Sequence, residues 1–230
     1  MALAWPVLAS DKLRQTANCT ASSHDIEPTL MKVGGQYRKR IKRVHERGHL
    51  HELTFSCYRG LRLLSNDAWR IRLARCLDAA GHEEAIALTA FVFMPNHVHL
   101  LVMPLTDPTN IGRYLARVKQ PFSKQIRELL TAGHSSLLSR LMVRERPGKT
   151  CFRFWQRGSG YDRNLASPTA IAKSMDYIHA NPVSRELCSR AVDWRWSSAG
   201  FYHGDPPMSQ DPDLPKLQGL PPEYLEGGEL

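Results

Sequence analysis

The stretch Phe91-Val92-Phe93-Met94-Pro95-Asn96-His97-Val98-His99-Leu100-Leu101-Val102 decides the fold: two apolar runs joined by a Pro-Asn corner. It predicts a β-hairpin whose second strand carries two histidines one residue apart. On a strand, residues i and i+2 point to the same face, so His97 and His99 can offer two imidazoles to one metal ion while Val98 faces the core. A bland alternative is that the histidines merely begin a strand and face solvent. The His-x-His pattern alone does not separate the two.

A second element bears on that choice: Asp176-Tyr177-Ile178-His179-Ala180-Asn181-Pro182-Val183. Ser167-Pro168 upstream is a helix-start signal, a capping hydroxyl followed by proline at the first helical position, and Asn181-Pro182 reads as a stop. Between them Ile171, Met175 and Ile178 form an apolar stripe at helical spacing. Tyr177 and Asn181 are four apart and share a face near the helix end. Alone, this is also what a half-buried tyrosine and ordinary Asn-Pro punctuation look like.

Together the two elements resemble the REP-associated tyrosine transposases, a branch of the single-tyrosine HUH transposases. The resemblance runs from about Tyr37 to Tyr202 and includes Thr54-Phe55, Phe91 to His99, Phe154-Trp155-Gln156, Asp176 to Val183 and Trp196-Ser197-Ser198. It implies that His97 and His99 bind a divalent metal, that Tyr177 is the nucleophile, and that Asn181 completes the metal site. It further implies a single-stranded or hairpin DNA partner, a 5′-phosphotyrosine intermediate and a free 3′-hydroxyl. The runner-up is a nickase of replication-initiator or relaxase type. A third reading is a hairpin-binding protein without catalysis.

The residue types suit that chemistry. A phenol with pKa near 10 is a weak nucleophile at neutral pH, yet its phenolate is a good leaving group, so a phosphotyrosine link can form and later be reversed. A bound cation polarises a phosphate oxygen and orients the scissile bond. Imidazole with amide oxygen suits Mg²⁺ or Mn²⁺, the two imidazoles leaning toward Mn²⁺ or a softer ion.

Composition agrees. The chain has 230 residues, 42% hydrophobic, and a net charge of +9. Residues 205 to 230 hold six acids against Lys216, so the net positive charge of residues 1 to 204 rises to 14. A surplus of that size suits a polyanionic partner. Five scattered cysteines, with no Cys-x-x-Cys pair, argue for reduced thiols in a cytoplasmic protein and against a zinc ribbon. The apolar opening Met1 to Ser10 lacks a basic region and contains Pro6, which reads as a disordered leader or a misassigned start, and no run reaches the ~20 apolar residues of a membrane span.

The chain divides into a leader (1–36), a catalytic domain (37–204) and a Pro-rich acidic tail (205–230) expected to be disordered. Within the domain, strands are expected at Glu52 to Tyr58, Ala85 to Met94 and Asn96 to Met103, with a helix over Asn66 to Ala79. Strand, helix, hairpin and helix in that order predict an α+β, ferredoxin-like antiparallel sheet with helices on one face and a C-terminal helix carrying Tyr177. From Asn110 a second helix gathers Ile111, Leu115, Val118, Phe122, Ile126 and Leu129 on one side, with a kink or break expected near Gln120 because of Pro121. Thr131 to Thr150 reads as a loop with one short helical piece, and Cys151 to Arg157 as an edge strand.

The candidate DNA contacts are the basic run with Arg38, Lys39 and Arg40, the stripe Arg113, Arg117, Lys124 and Arg127 opposite the apolar face, and Trp155 as a base-stacking aromatic. A solvated surface is the ordinary alternative for the cations, and core packing for the aromatics. Tyr161, after Gly158-Ser159-Gly160, is the rival nucleophile. His179 points about 200° from Tyr177 on an ideal helix and is given a structural or DNA-contacting role. The sequence leaves open whether the chain acts as a monomer or a homodimer.

Overall fold

The computed structural model describes residues 32–33, 36–37, 49–158, 160–204 and 211–220. The chain divides into two compact units, Met1–Lys42 and Arg43–Leu230. In the first, β1 (Lys32–Val33) pairs antiparallel with β2 (Gln36–Tyr37), so the end of the expected leader carries backbone pairing. The leader up to residue 31 and the candidate contacts Arg38, Lys39 and Arg40 lie outside the described residues.

The second unit is built on β3 (Leu50–Ser56), α1 (Asp67–Glu84), β4 (Ile86–Phe93), β5 (His97–Pro104), α2 (Ile111–Ala132) and β8 (Tyr161–Leu165). The sheet order is β4-β5-β3-β8, with neighbouring strands antiparallel. Between α2 and β8 lie α3 (Ser136–Leu141) and a hairpin of β6 (Met142–Arg146) and β7 (Lys149–Phe152). Without that insertion the order is βαββαβ, a ferredoxin-like split β-α-β sheet as the sequence predicts. After β8 come α4 (Pro168–Ser184) and the short α5 (Ala199–His203).

Alternation along the strands gives the sheet two different faces. Leu53, Phe55, Phe91, Phe93, Val98, Leu100 and Val102 join residues of α1 and α2 in the larger core. Leu50, Ala90, Val92, Met94, Leu101 and Leu165 join Ile171, Met175 and Ile178 of α4 in the smaller one. The tyrosine helix therefore packs on the face opposite α1 and α2. Its start is capped by Ser167, whose Oγ accepts the Ala170 N–H.

Several local expectations shift. α2 runs unbroken from Ile111 to Ala132, because Pro121 lies on its exposed side, where the carbonyl left without a donor can reach water. Leu129 is 41% exposed, whereas Tyr114 and Leu130 are buried, so the apolar face is rotated slightly from the sequence reading. α4 continues through Pro182 to Ser184, since a proline in the last turn removes only one backbone hydrogen bond. The edge strand of the main sheet is β8, not Cys151 to Arg157. Its sequence Tyr-Asp-Arg-Asn-Leu is polar because most of the strand is exposed or half-buried, unlike the wholly buried edge strand β4 on the other side.

Phe154 and Trp155 owe their apolar character to the core. Trp155 is only 8% exposed and packs edge-on to Phe55 and Phe154 and tilted on Phe122. This corrects the expectation that it stacks bases, because an aromatic surrounded by core rings has no free face to offer. Residues 211–220 also depart from the expected disordered tail. Leu214 and Leu217 pack on the larger core, Leu220 on the smaller one, Arg195 binds both Asp211 and Asp213, and the Gln218 N–H donates to the Leu88 carbonyl.

Arg113 and Arg117 are corrected as well. Both bind the buried carboxylate of Glu84 at the end of α1, and Arg117 also pairs with Glu83. Burial raises the Glu84 carboxyl pKa, but its hydrogen bonds from Arg113 and Arg117 hold it below the ordinary range. These guanidiniums clamp α1 to α2 and are not unpaired cations awaiting phosphate. Lys124 and Arg127 remain exposed on α2.

The core assignment of Trp155 sets a measurable expectation. Trp155→Ala should destabilise the fold by about 3–5 kcal/mol, as truncation of a buried aromatic does, whereas Trp155→Phe should retain most of the stability. Urea unfolding of the two variants checks it, and an alanine variant as stable as the parent would return Trp155 to the surface.

Candidate active site

The site forms where β5 passes beneath α4. In the register of the sheet His99 lies opposite Thr54 and His97 opposite Ser56, and both imidazoles share the α4 face. Their rings meet edge to face with centroids 4.8 Å apart. His99 is nearly buried, and its Nδ1 lies 2.8 Å from Thr54 Oγ1. The His97 Nδ1 lies 2.7 Å from Asn96 Oδ1, where a ring N–H donates to the amide oxygen. Fixing each Nδ1 in this way leaves each Nε2 as the nitrogen available to an outside ligand, the arrangement by which neighbouring groups orient a metal-binding histidine.

Electrostatics favour neutral rings. Burial lowers the His97 pKa, helped by the positive charge of Arg185. Burial, the neighbouring His97 and Arg185 together take His99 down to about 4. A neutral imidazole is the form that binds a cation. Arg185 was passed over in the sequence because it follows the tyrosine helix and belongs to no spacing pattern. Its charge nevertheless reaches both histidines.

Tyr177 projects from α4 with its ring edge to face against His99, centroids 5.3 Å apart, and is 54% exposed. The structure thus brings His97, His99 and Tyr177 together. Asn181 sits one turn further along, 6% exposed, and its Nδ2 donates to the Tyr177 carbonyl at 2.8 Å. With the nitrogen so engaged, the amide oxygen is the atom left for another partner. Among the described residues no group of three or more His, Cys, Asp or Glu is arranged to hold a metal. The donor types of this set, two oriented neutral imidazoles and an amide oxygen one helical turn beyond Tyr177, suit a divalent cation.

A cleft of about 530 Å³ opens here, lined by Glu52 and Thr54 of β3, His99, Tyr161 and Arg163 of β8, and Lys173, Ser174 and Tyr177 of α4. The rival tyrosines therefore share one cleft, but the ring contact with His99 belongs to Tyr177. Glu52, Arg163 and Lys173 were not singled out from the sequence. The pairing of β8 with β3, which sets Arg163 opposite Glu52 and Tyr161 opposite Thr54, discloses the first two, and the packing of α4 over the cleft discloses Lys173. His179 proves structural: it is 3% exposed and its Nε2 lies 2.8 Å from Ser198 Oγ. Among the described residues no helix is long and apolar enough to cross a membrane.

Two expectations follow from this geometry. For the metal site that the resemblance implies, removing the hydroxyl partner of His99 by Thr54→Val should weaken Mn²⁺ binding by about 10- to 100-fold without unfolding the protein, since the imidazole itself stays in place. Titration calorimetry measures it, and unchanged affinity would detach Thr54 from the site. Burial, with the nearby His203, takes the His179 pKa down to about 4. Its unfolded value is near 6.5, so the unfolded chain takes up the proton first; the associated stability is complete above about pH 6.5 and is lost as pH falls through 4. Imidazole NMR should find His179 titrating near 4, and a midpoint near 6.5 would contradict its burial.

Comparison with known proteins places these features. No family model matches the chain. A curated Haemophilus influenzae protein named "Putative REP-associated tyrosine transposase" is 28% identical over 116 residues, and the match spans 50% of this chain and 58% of that protein. The solved structure of a REP-associated tyrosine transposase bound to a REP hairpin aligns with a TM-score of 0.54 at 16% identity, over 76% of this chain and 93% of its own. A structure from Deinococcus radiodurans described as a putative transposase reaches a TM-score of 0.36 at 18% identity, over 61% and 95% of the two chains, too low to bear on the fold. In sequence over half its length and in its α+β fold, the chain resembles the REP-associated tyrosine transposases.

Proposed function

We propose that this chain is a transposase-like enzyme that cleaves and rejoins single-stranded DNA at hairpins, with Tyr177 as nucleophile and a divalent metal, Mg²⁺ or Mn²⁺, at His97, His99 and Asn181. The observation that carries the reading is the edge contact between Tyr177 and His99, which sets a half-exposed phenol beside two neutral, oriented imidazoles. The hairpin partner rests on the solved relative, whose structure holds a REP hairpin.

The reaction is a transesterification. The Tyr177 oxygen forms a bond to phosphorus, the bond to the departing sugar oxygen breaks, the phenol proton leaves to water, which the exposed ring allows, and the sugar oxygen takes up a proton from water to leave as a hydroxyl. Because one phosphoester replaces another, rejoining by a DNA hydroxyl needs no outside energy source. When bound, the metal supplies Lewis-acid polarisation of a phosphate oxygen. Thr54 and Asn96 hold the histidines in the binding tautomer, Asn181 secures the backbone at Tyr177, and Arg185 adds positive charge beside a phosphodiester. As the resemblance implies, cleavage leaves a 5′-phosphotyrosine and a free 3′-hydroxyl.

The test is covalent trapping with hairpin oligonucleotides from DNA flanking the gene. Tyr177→Phe should fold, bind the hairpin and form no adduct. His97→Ala, His99→Ala or chelation should abolish cleavage and largely spare binding. Mass spectrometry locates the adduct, and a nucleotide on no tyrosine would remove the mechanism in favour of a non-catalytic hairpin binder.

The ion pairs of Glu84 separate two kinds of cation. Lys124→Gln with Arg127→Gln should make the salt dependence of binding shallower, by about 0.7 in slope for each lost phosphate contact. Arg113→Gln with Arg117→Gln should leave the slope unchanged and lower the melting temperature instead. The reverse pattern would assign the clamp to DNA.

A further inference from the structure

The mechanism leaves one side of the cleft without a task. Tyr161 opens the edge strand β8, is 51% exposed, and stands opposite Thr54 on the face that carries His99. Its position is built in. Gly160 has φ +73, and a Cβ there would lie 2.3 Å from the Thr54 carbonyl oxygen, so only glycine lets the chain come close enough to start β8 at that register. Two residues along the same face, Arg163 has its Nη1 3.9 Å from the buried Glu52 carboxylate while its side chain remains 54% exposed. Across the cleft Lys173 lies one helical turn before Tyr177 and is also exposed.

A half-exposed ring with cations on both sides is how proteins hold an unpaired nucleotide: the base stacks on the ring and the phosphates meet the charges. Resting on the proposed reaction, we propose that Tyr161, Arg163 and Lys173 form a subsite for the unpaired nucleotide next to the scissile phosphate, with Tyr161 stacking its base and Arg163 and Lys173 contacting its phosphate. Tyr161 is then a binding residue whose ring matters and whose hydroxyl does not. Glu52 is a positioning residue that keeps the Arg163 guanidinium at the cleft. Single strands suit this subsite and duplexes do not, because a base held in a pair has no face free to stack on the ring.

Full-length protein carrying Tyr177→Phe separates binding from chemistry. The probe is a fluorescein-labelled copy of the palindromic hairpin nearest the gene, with unpaired arms, together with a series in which each arm nucleotide in turn is replaced by an abasic linker. Affinity is read by anisotropy. At one arm position the abasic linker should weaken binding by about 5- to 150-fold, the range of a single base stack. Tyr161→Phe should keep that sensitivity. Tyr161→Leu should bind the intact arm as weakly as the abasic one and show no further loss on abasic substitution, and Lys173→Gln should make the salt dependence shallower. Equal affinity of Tyr161→Leu and the parent for the intact arm would overturn the subsite. So would Tyr161→Phe behaving like leucine, or a covalent adduct on Tyr161 in the otherwise native chain. Loss of the subsite with adduct on Tyr177 intact leaves the parent reaction standing; failure of the native chain to bind any hairpin removes both.

Discussion

Everything at the site depends on β5 being held between β3 and β4. A central strand has both backbone edges paired, so its register cannot slip by one residue without reversing every side chain between the two faces. With Val98, Leu100 and Val102 buried against α1 and α2, His97 and His99 have only the α4 face to occupy. The apolar content of β5 and the chemistry of its polar residues are therefore one constraint. The larger core fixes the histidines by packing the residues between them.

That constraint explains how much was legible in the chain. Two-residue alternation in a strand and four-residue spacing in a helix are local, and both show in the sequence of the hairpin and of the Tyr177 helix. From them came the sheet class; the grouping of the histidines with Tyr177 came from the resemblance to a family and not from either spacing. What failed was non-local. Trp155 and Phe154 carry a base-stacking composition, but whether an aromatic faces solvent depends on Phe122 arriving from α2. Arg113 and Arg117 read as a free stripe because Glu83 and Glu84 are about thirty residues away in another helix. β8 was hidden because its sequence is polar and its partner strand lies more than a hundred residues upstream.

The cleft itself belongs to that non-local class. Four elements contribute to it, β3, β5, β8 and α4, and only two of them carry a pattern that sequence reasoning can isolate. Thr54 shows the difference well: the resemblance includes it without giving it a task, and the register that sets it opposite His99 on one side and Tyr161 on the other joins the proposed reaction centre to the edge strand. The residue meets two neighbours, its hydroxyl the His99 imidazole and its backbone carbonyl the closely approaching Gly160.

Charge is distributed in the same economical way. The first 204 residues carry a large positive excess, but much of what the structure describes is already paired. Arg113 and Arg117 close on Glu84, Arg195 on Asp211 and Asp213, and Arg190 on Asp193. Several of these pairs join segments distant in sequence, so they serve the fold. Lys173 and Arg163 remain exposed and line the cleft with the two tyrosines and His99, and the charge of exposed Arg185 acts on both histidines. A polyanion drawn by the long-range field of the whole chain thus meets a local demand that is small and geometrically defined. Under the proposed function, preference for an unpaired strand rests on the cleft that the half-exposed rings of Tyr161 and Tyr177 line together with Arg163 and Lys173.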